Sequence, residues 1–232
     1  IVPNLGNADA STLSRFGVAP DSVTRFFNLA SGAGIAPRGI LANDRTADNY
    51  SGIVRLDYLT EGGQSLSIRG DYSFSNSDPT RIGTLSLPQT GGDSRNWGGG
   101  LAATLTSNIG GRFLNELKLY TSVNKNAGDP FITLPFGRVQ VASDLGDGET
   151  GISTLTFGGN TGLPQKGRTN AFEGTNETSW LSEGGAHRFK LGALFNLQSF
   201  ERDVTTNRWG TYSFNSLADF ENGTPATYTR TL

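Results

Sequence analysis

Hydrophobic and polar positions alternate one for one along Gln64 to Asn76. In QSLSIRGDYSFSN, Leu66, Ile68, Gly70, Tyr72 and Phe74 fall on one side, and Ser65, Ser67, Arg69, Asp71, Ser73 and Ser75 on the other. Successive side chains of a strand point to opposite faces, so this spacing predicts a strand with one apolar and one polar, partly charged face. The preceding run SGIVRLDYLT sets Val54, Leu56 and Tyr58 against Arg55 and Asp57 in the same way. Glu61, Gly62 and Gly63 lie between the two runs and supply a short hairpin turn. Each run has about the ten residues that a tilted strand needs to cross a bilayer.

The pattern recurs. Asn96 to Ser107 alternates Trp97, Gly99, Leu101, Ala103 and Leu105 with small or hydroxyl residues, and the turn at Asn108 to Gly111 follows. Phe113 to Lys125 returns, with Phe113, Leu117, Leu119 and Val123 opposite Glu116, Lys118, Ser122 and Asn124. A third pair, Asn170–Ser182 and His187–Asp203, is joined by Glu183 to Ala186. Its returning strand sets Phe189, Leu191, Ala193, Phe195 and Leu197 against Lys190, Asn196 and Gln198, with Leu194 and Phe200 interrupting the polar side. Residues 77–94 and 126–170 are rich in Gly, Pro, Ser and Asp and read as long surface connections. The second holds FITLPFGRVQVAS and ISTLTFGG, expected to be small strands within a loop. The C-terminal part reads as strand, a short helical turn near Ser216 to Phe220, then strand. Residues 1–47 carry no clean period. Within them Pro20 to Leu29 predicts a short helix starting near Asp21 or Ser22, with Val23, Phe26 and Phe27 packed on something larger.

Short turns at one end and long loops at the other is the layout of an antiparallel up-and-down transmembrane β-barrel. Tyr50, Tyr58, Tyr72, Phe74, Trp97, Phe113, Tyr120 and Trp180 fall near strand ends, where interfacial aromatics belong. The expected fold class is therefore all-β, a section of such a barrel. A soluble carbohydrate-binding β-sandwich is the alternative on pattern alone.

Composition narrows this further. Hydrophobic residues are 35% and charged residues 17%, while 32 residues are glycine, which suits a β protein with a polar interior and argues against a helical bundle. No apolar run approaches the roughly 18 to 20 residues of a membrane helix. A net charge of −2 provides no basic field for nucleic acid. With no cysteine, disulfides, thiolate metal sites and cysteine nucleophiles are out. Methionine is also absent, so Ile1 is no translational start, and the chain is expected to be processed, trimmed or a portion of a longer product.

Candidate chemistry is sparse. Arg55, Asp57, Arg69, Asp71, Glu116, Lys118, Glu173, Glu177 and Lys190 are the lumen-facing candidates, expected to pair across strands and hold a wet interior, with contact to a plug or substrate as the lesser role. His187, the single histidine, opens a strand and has no orienting carboxylate nearby, so no triad can be built and no enzyme is expected. Asp144, Asp147 and Glu149 offer oxygen ligands for calcium, although not at EF-hand spacing; an acidic loop facing water is the default. GGDSRNWGGG lacks the lysine and following helix of a phosphate loop, and no cofactor is expected.

NYSGIVRLDY (Asn49 to Tyr58), LNEL in the strand from Phe113, FGGN at Phe157 to Asn160, HRFKLG at His187 to Gly192 and above all GTYSFNSLADFENGTPATYTRTL resemble TonB-dependent outer-membrane receptors. The match is to the Oar-like branch with a carboxypeptidase-regulatory-like domain, over about residues 45 to 232. Each motif is of low specificity; their order and spacing carry the resemblance. It implies a 22-stranded barrel closed by a plug, in the bacterial cell outer membrane. Its partners would be outer-membrane lipid, the remainder of the barrel and plug, and an inner-membrane TonB complex. About eight strands are counted here, with no plug and no TonB-box-like segment recognisable. The expected organisation is thus residues 1–47 as an irregular segment near the plug-barrel junction, and 48–232 as barrel strands and extracellular loops. A structural subunit of an envelope or filament assembly is the alternative function.

Overall fold

The alternating runs become six long strands. The computed structural model describes residues 2–35 and 44–232. Its strands in chain order are β1 (Thr46–Leu59), β2 (Gln64–Thr80), β3 (Gly92–Ile109), β4 (Phe113–Gly128), β5 (Phe136–Gly146), β6 (Glu149–Gly158), β7 (Gln165–Leu181), β8 (Arg188–Val204), β9 (Thr211–Phe214) and β10 (Thr227–Thr229). The large sheet runs β1-β2-β3-β4-β7-β8, antiparallel throughout. These strands hold 14 to 18 residues each, beyond the usual length in globular proteins. Gly110 and Gly111 turn the β3–β4 hairpin with φ of 60° and 69°, a left-handed pair that side chains with a Cβ adopt only with strain.

The long connections are more than loops. Residues 2–35, 81–91, 129–164 and 205–232 gather at the end of the sheet opposite the short turns and fold together as a cap. A second sheet, ordered β10-β9-β5-β6, forms its centre. Here the up-and-down pattern is broken, because β9 pairs with β5 in parallel. Three helices pack on it: α1 (Ala10–Arg15), α2 (Pro20–Gly32) and α3 (Leu217–Glu221). The α2 helix begins where the sequence places it, with Pro20 in its first turn, and it runs on to Gly32. Val23, Phe26 and Ala30 are buried on one face, and Phe27 packs at its margin. Phe26, Phe157, Phe214 and Phe220 form an aromatic cluster, with ring centroids 4.8 to 6.5 Å apart between contacting pairs. Backbone bonds tie the segments together: Leu5 N–H donates to Ser86 (2.9 Å), Leu87 N–H to Thr156 (2.8 Å) and Thr156 N–H to Leu85 (3.0 Å).

Burial divides the molecule. Among the described residues, every buried apolar side chain except Pro79 belongs to the cap, from Val2 and Leu5 to Phe214 and Leu217. Of these side chains the large sheet buries only Pro79, near the cap end of β2. The stability of the cap thus comes from apolar burial, and that of the sheet from its hydrogen-bonded ladders and from whatever covers its faces.

Candidate functional site

Pairing register settles which side chains share a face of the large sheet. Arg55 lies opposite Arg69, Asp57 opposite Ser67, and Asp71 opposite Gly100. Further along, Glu116 lies opposite Glu177, Lys118 opposite Thr104 and Thr175, Glu173 opposite Tyr120 and Asn196, and Lys190 opposite Ser179. All nine charged candidates therefore stand on one face.

Two of these oppositions are between like charges, Arg55 with Arg69 and Glu116 with Glu177, which is unfavourable unless each charge is neutralised. Each is. Arg55 pairs with Asp57 at 3.0 Å, Arg69 with Asp71 at 3.7 Å, Lys118 with Glu116 at 2.6 Å, and Lys190 with Glu177 at 2.6 Å. Glu173 accepts from the amide of Asn196 at 3.2 Å. Pairing was expected across strands, but only the Lys190–Glu177 ion pair crosses; the other three run along a strand. Residues i and i+2 stand on the same face, and long side chains span that gap without competing for the cross-strand partner. These groups are all substantially exposed, so each pair is worth about 0–1 kcal/mol. Their effect is on the field: the face is densely polar yet locally neutral.

Glycines shape it. A Cβ at Gly100 would lie 3.1 Å from both Asp71 Oδ2 and Tyr120 Oη, so its absence lets groups from β2 and β4 converge across β3. Towards the cap the charges give way to Asn49, Ser51, Ser73, Ser75, Asn96 and Asn124, which border a groove of about 470 Å³. This neutral row carries the same parity as the charged positions, and that parity was its only signal in the sequence.

The opposite face is apolar and open. Leu56 is 67% exposed, Leu191 78% and Phe195 59%. Aromatics mark its ends, with Tyr50 stacked on Phe74 towards the cap and Trp180 stacked between Phe113 and Phe189 at the short turns. An exposed apolar face of this extent marks a surface that lipid or another chain covers. A family model described as outer membrane beta barrel domain matches residues 14–232.

The chain belongs to the outer-membrane β-barrel domain family.

No curated protein matches it. The barrel domain resides in the bacterial outer membrane, and its antiparallel strands are the spanning elements; no helix among the described residues is long and apolar enough to cross. That membership removes the soluble β-sandwich. The remaining candidates of the barrel domain lie elsewhere. Asp144, Asp147 and Glu149 sit at the β5–β6 tip, where Asp144 Oδ1 accepts from Gly146 N–H at 3.0 Å. They are not brought together: among the described residues no three acidic or histidine side chains gather as a metal set. His187 precedes β8, its N–H donating to Ser182 Oγ at 2.9 Å and its ring 6.5 Å from that of Phe189. All of GGDSRNWGGG but its first glycine lies in the first half of β3, a strand rather than a loop.

Proposed function

We propose that this barrel domain is a section of a TonB-dependent outer-membrane receptor that takes up a substrate too large for porins. The observation that carries this reading is the cap. Four separate stretches of chain build a packed, aromatic-centred body at the long-loop end, where a pore for small solutes needs only loops and where binding residues are held best by a rigid scaffold. The neutral, ion-paired face fits a lumen that passes or contacts a polar substrate without trapping it on a net charge. The receptor-like motif GTYSFNSLADFENGTPATYTRTL supports the reading from a second side, since it supplies β9, α3 and β10 of that cap. Residues 2–35, expected near the plug-barrel junction, pack into this cap beside the long connections. The partners are outer-membrane lipid, the remainder of the barrel with its plug, and an inner-membrane TonB complex; the role is transport, not catalysis.

The test is the intact mass of the native polypeptide extracted in detergent, together with cross-linking to the periplasmic part of TonB. A mass several times 24.6 kDa and a TonB adduct are expected. A mass near 24.6 kDa without an adduct would replace uptake by the structural-subunit reading.

A further inference from the structure

On the face that meets lipid, the rows nearest the cap change character. Register places Phe74 beside Trp97, Trp97 beside Lys125, and Lys125 beside Arg168. An aromatic row thus runs directly into a cationic one, and Lys166 stands one position further along the same face of β7, opposite Ala127. The cations lie beyond the hydrocarbon. Roughly ten residues of a tilted strand cross it; measured from the short turns, that carries β4 from Phe113 to about Val123 and β7 from Leu181 to about Phe172. Lys125, Arg168 and Lys166 follow at the level of the outer headgroups.

Among the described residues their charges are only partly compensated. Lys125 and Arg168 face each other directly, which costs stability in the absence of an anion. The Lys125 ammonium rests 5.8 Å from the Trp97 ring centroid, and Arg168 Nε donates to Asn170 Oδ1 at 3.0 Å; neither contact brings a negative charge. The acidic neighbours are mostly engaged, Asp93 with Arg95 at 2.7 Å and Asp203 with Arg208 at 2.5 Å. On β8, Glu201 lies opposite Arg168, and Asp203, which Arg208 already holds, lies opposite Lys166. With Arg208 counted among the cations, two positive charges remain in excess beside an open groove of about 420 Å³ that Lys125, Lys166 and Arg168 border together with Glu201 and Asp203.

We propose that Lys125, Lys166 and Arg168 form a docking site for the phosphate groups of outer-leaflet lipid. The apolar face below would take the acyl chains and the Trp97 ring the boundary, while the three cations bind the phosphates. This rests on the barrel's membrane location and its two-faced strands, not on what it transports.

The full-length protein in detergent is titrated with a phosphorylated lipid A, with the same lipid after removal of its phosphates, and with inorganic phosphate as competitor. Phosphorylated lipid is expected to bind more tightly, and Lys125→Gln, Lys166→Gln and Arg168→Gln to weaken it by about fivefold each. Lys125→Arg and Lys166→Arg should retain binding. Heat-modifiable migration on gels reports the folded barrel. Should Arg168→Gln not fold, Lys125→Gln with Lys166→Gln, which leaves the Arg168–Glu201 opposition intact, is the deciding variant. Unchanged affinity in folded variants would overturn the proposal. So would equal binding of the phosphate-free lipid, or displacement by inorganic phosphate at the lipid's own concentration, which would mark a free-anion site.

Discussion

Asn115, Asn176 and Thr178 stand on the lipid-covered face, where a lone amide is costly. They satisfy one another. Asn115 Nδ2 donates to Asn176 Oδ1 (3.1 Å) and Thr178 Oγ1 (2.8 Å), and Asn176 Nδ2 returns a bond to Asn115 Oδ1 (3.2 Å). Replacing Asn115 alone by Ala leaves its partner amide unpaired and is expected to cost about 1–3 kcal/mol. Replacing Asn115 and Asn176 together by Leu should be close to neutral. Urea unfolding of the barrel in lipid vesicles compares the two; a double variant that is as unstable as the single one sinks this account. A second residue acts through its charge. Asp9 caps α1, and its carboxyl is held below the usual carboxylate range chiefly by the Thr12 backbone N–H, then by the Thr12 and Ser11 hydroxyls. A lowered folded-state value means the contribution is present above the unfolded value near 3.9 and is lost as pH falls through the folded one. Hydrogen-exchange protection of the α1 amides should therefore fall only in that acidic window, and Asp9→Asn should flatten the dependence. Protection that varies equally in the variant would assign the effect to other groups.

Among the elements, the cap is where close packing sets what a substitution does. Gly137 on β5 lies under the Phe157 ring, which occupies the space a Cβ would need. Gly137→Val is expected to destabilise the cap by about 1–3 kcal/mol through overpacking, and Phe26→Ala by about 3–5 kcal/mol through the cavity it leaves. Since the buried apolar side chains are concentrated in the cap, both should raise proteolysis of 129–164 while the long strands stay protected. Simultaneous loss of both regions would show that the sheet leans on the cap. The six long strands were legible because a two-residue period survives any tertiary context that keeps one face apolar. Strands β5 and β6 were legible as short apolar pieces, and α2 by its Pro20 start and Val23–Phe26 spacing. That these pieces belong to one body was not. The burial of Phe26 depends on Phe157 and Phe220, far along the chain, and a periodicity holds no information about partners at such separation. Helix α1 escaped for the opposite reason, being a six-residue helix with one buried side chain, Leu13, and hence no period to detect.

At the scale of the whole molecule, the decisive property is that the large sheet has two faces built for different solvents. Arg55, Arg69, Glu116 and Glu177 were identifiable as one polar set from parity, while their neutralisation along the strands depended on side-chain reach that parity does not encode. The orientation of that set towards an aqueous lumen follows from the barrel layout and is open to direct measurement, because the chain has no cysteine of its own. Single substitutions along β2 and β8 supply the probe. Ser67→Cys, Arg69→Cys and Asn196→Cys should react with a membrane-impermeant maleimide in intact outer-membrane vesicles. Leu66→Cys, Ile68→Cys and Phe195→Cys should not, and a nitroxide attached to them should instead sense lipid-soluble oxygen. Labelling that alternates with residue number on both strands is what a barrel wall predicts. If the parity is reversed, the charged face meets the bilayer, and the ion pairs would have to sustain hydrocarbon contact at a cost of several kcal/mol per ion. If alternation is absent, both faces are wet and the strands do not form a membrane wall. The experiment therefore judges the lumen assignment without knowledge of any substrate.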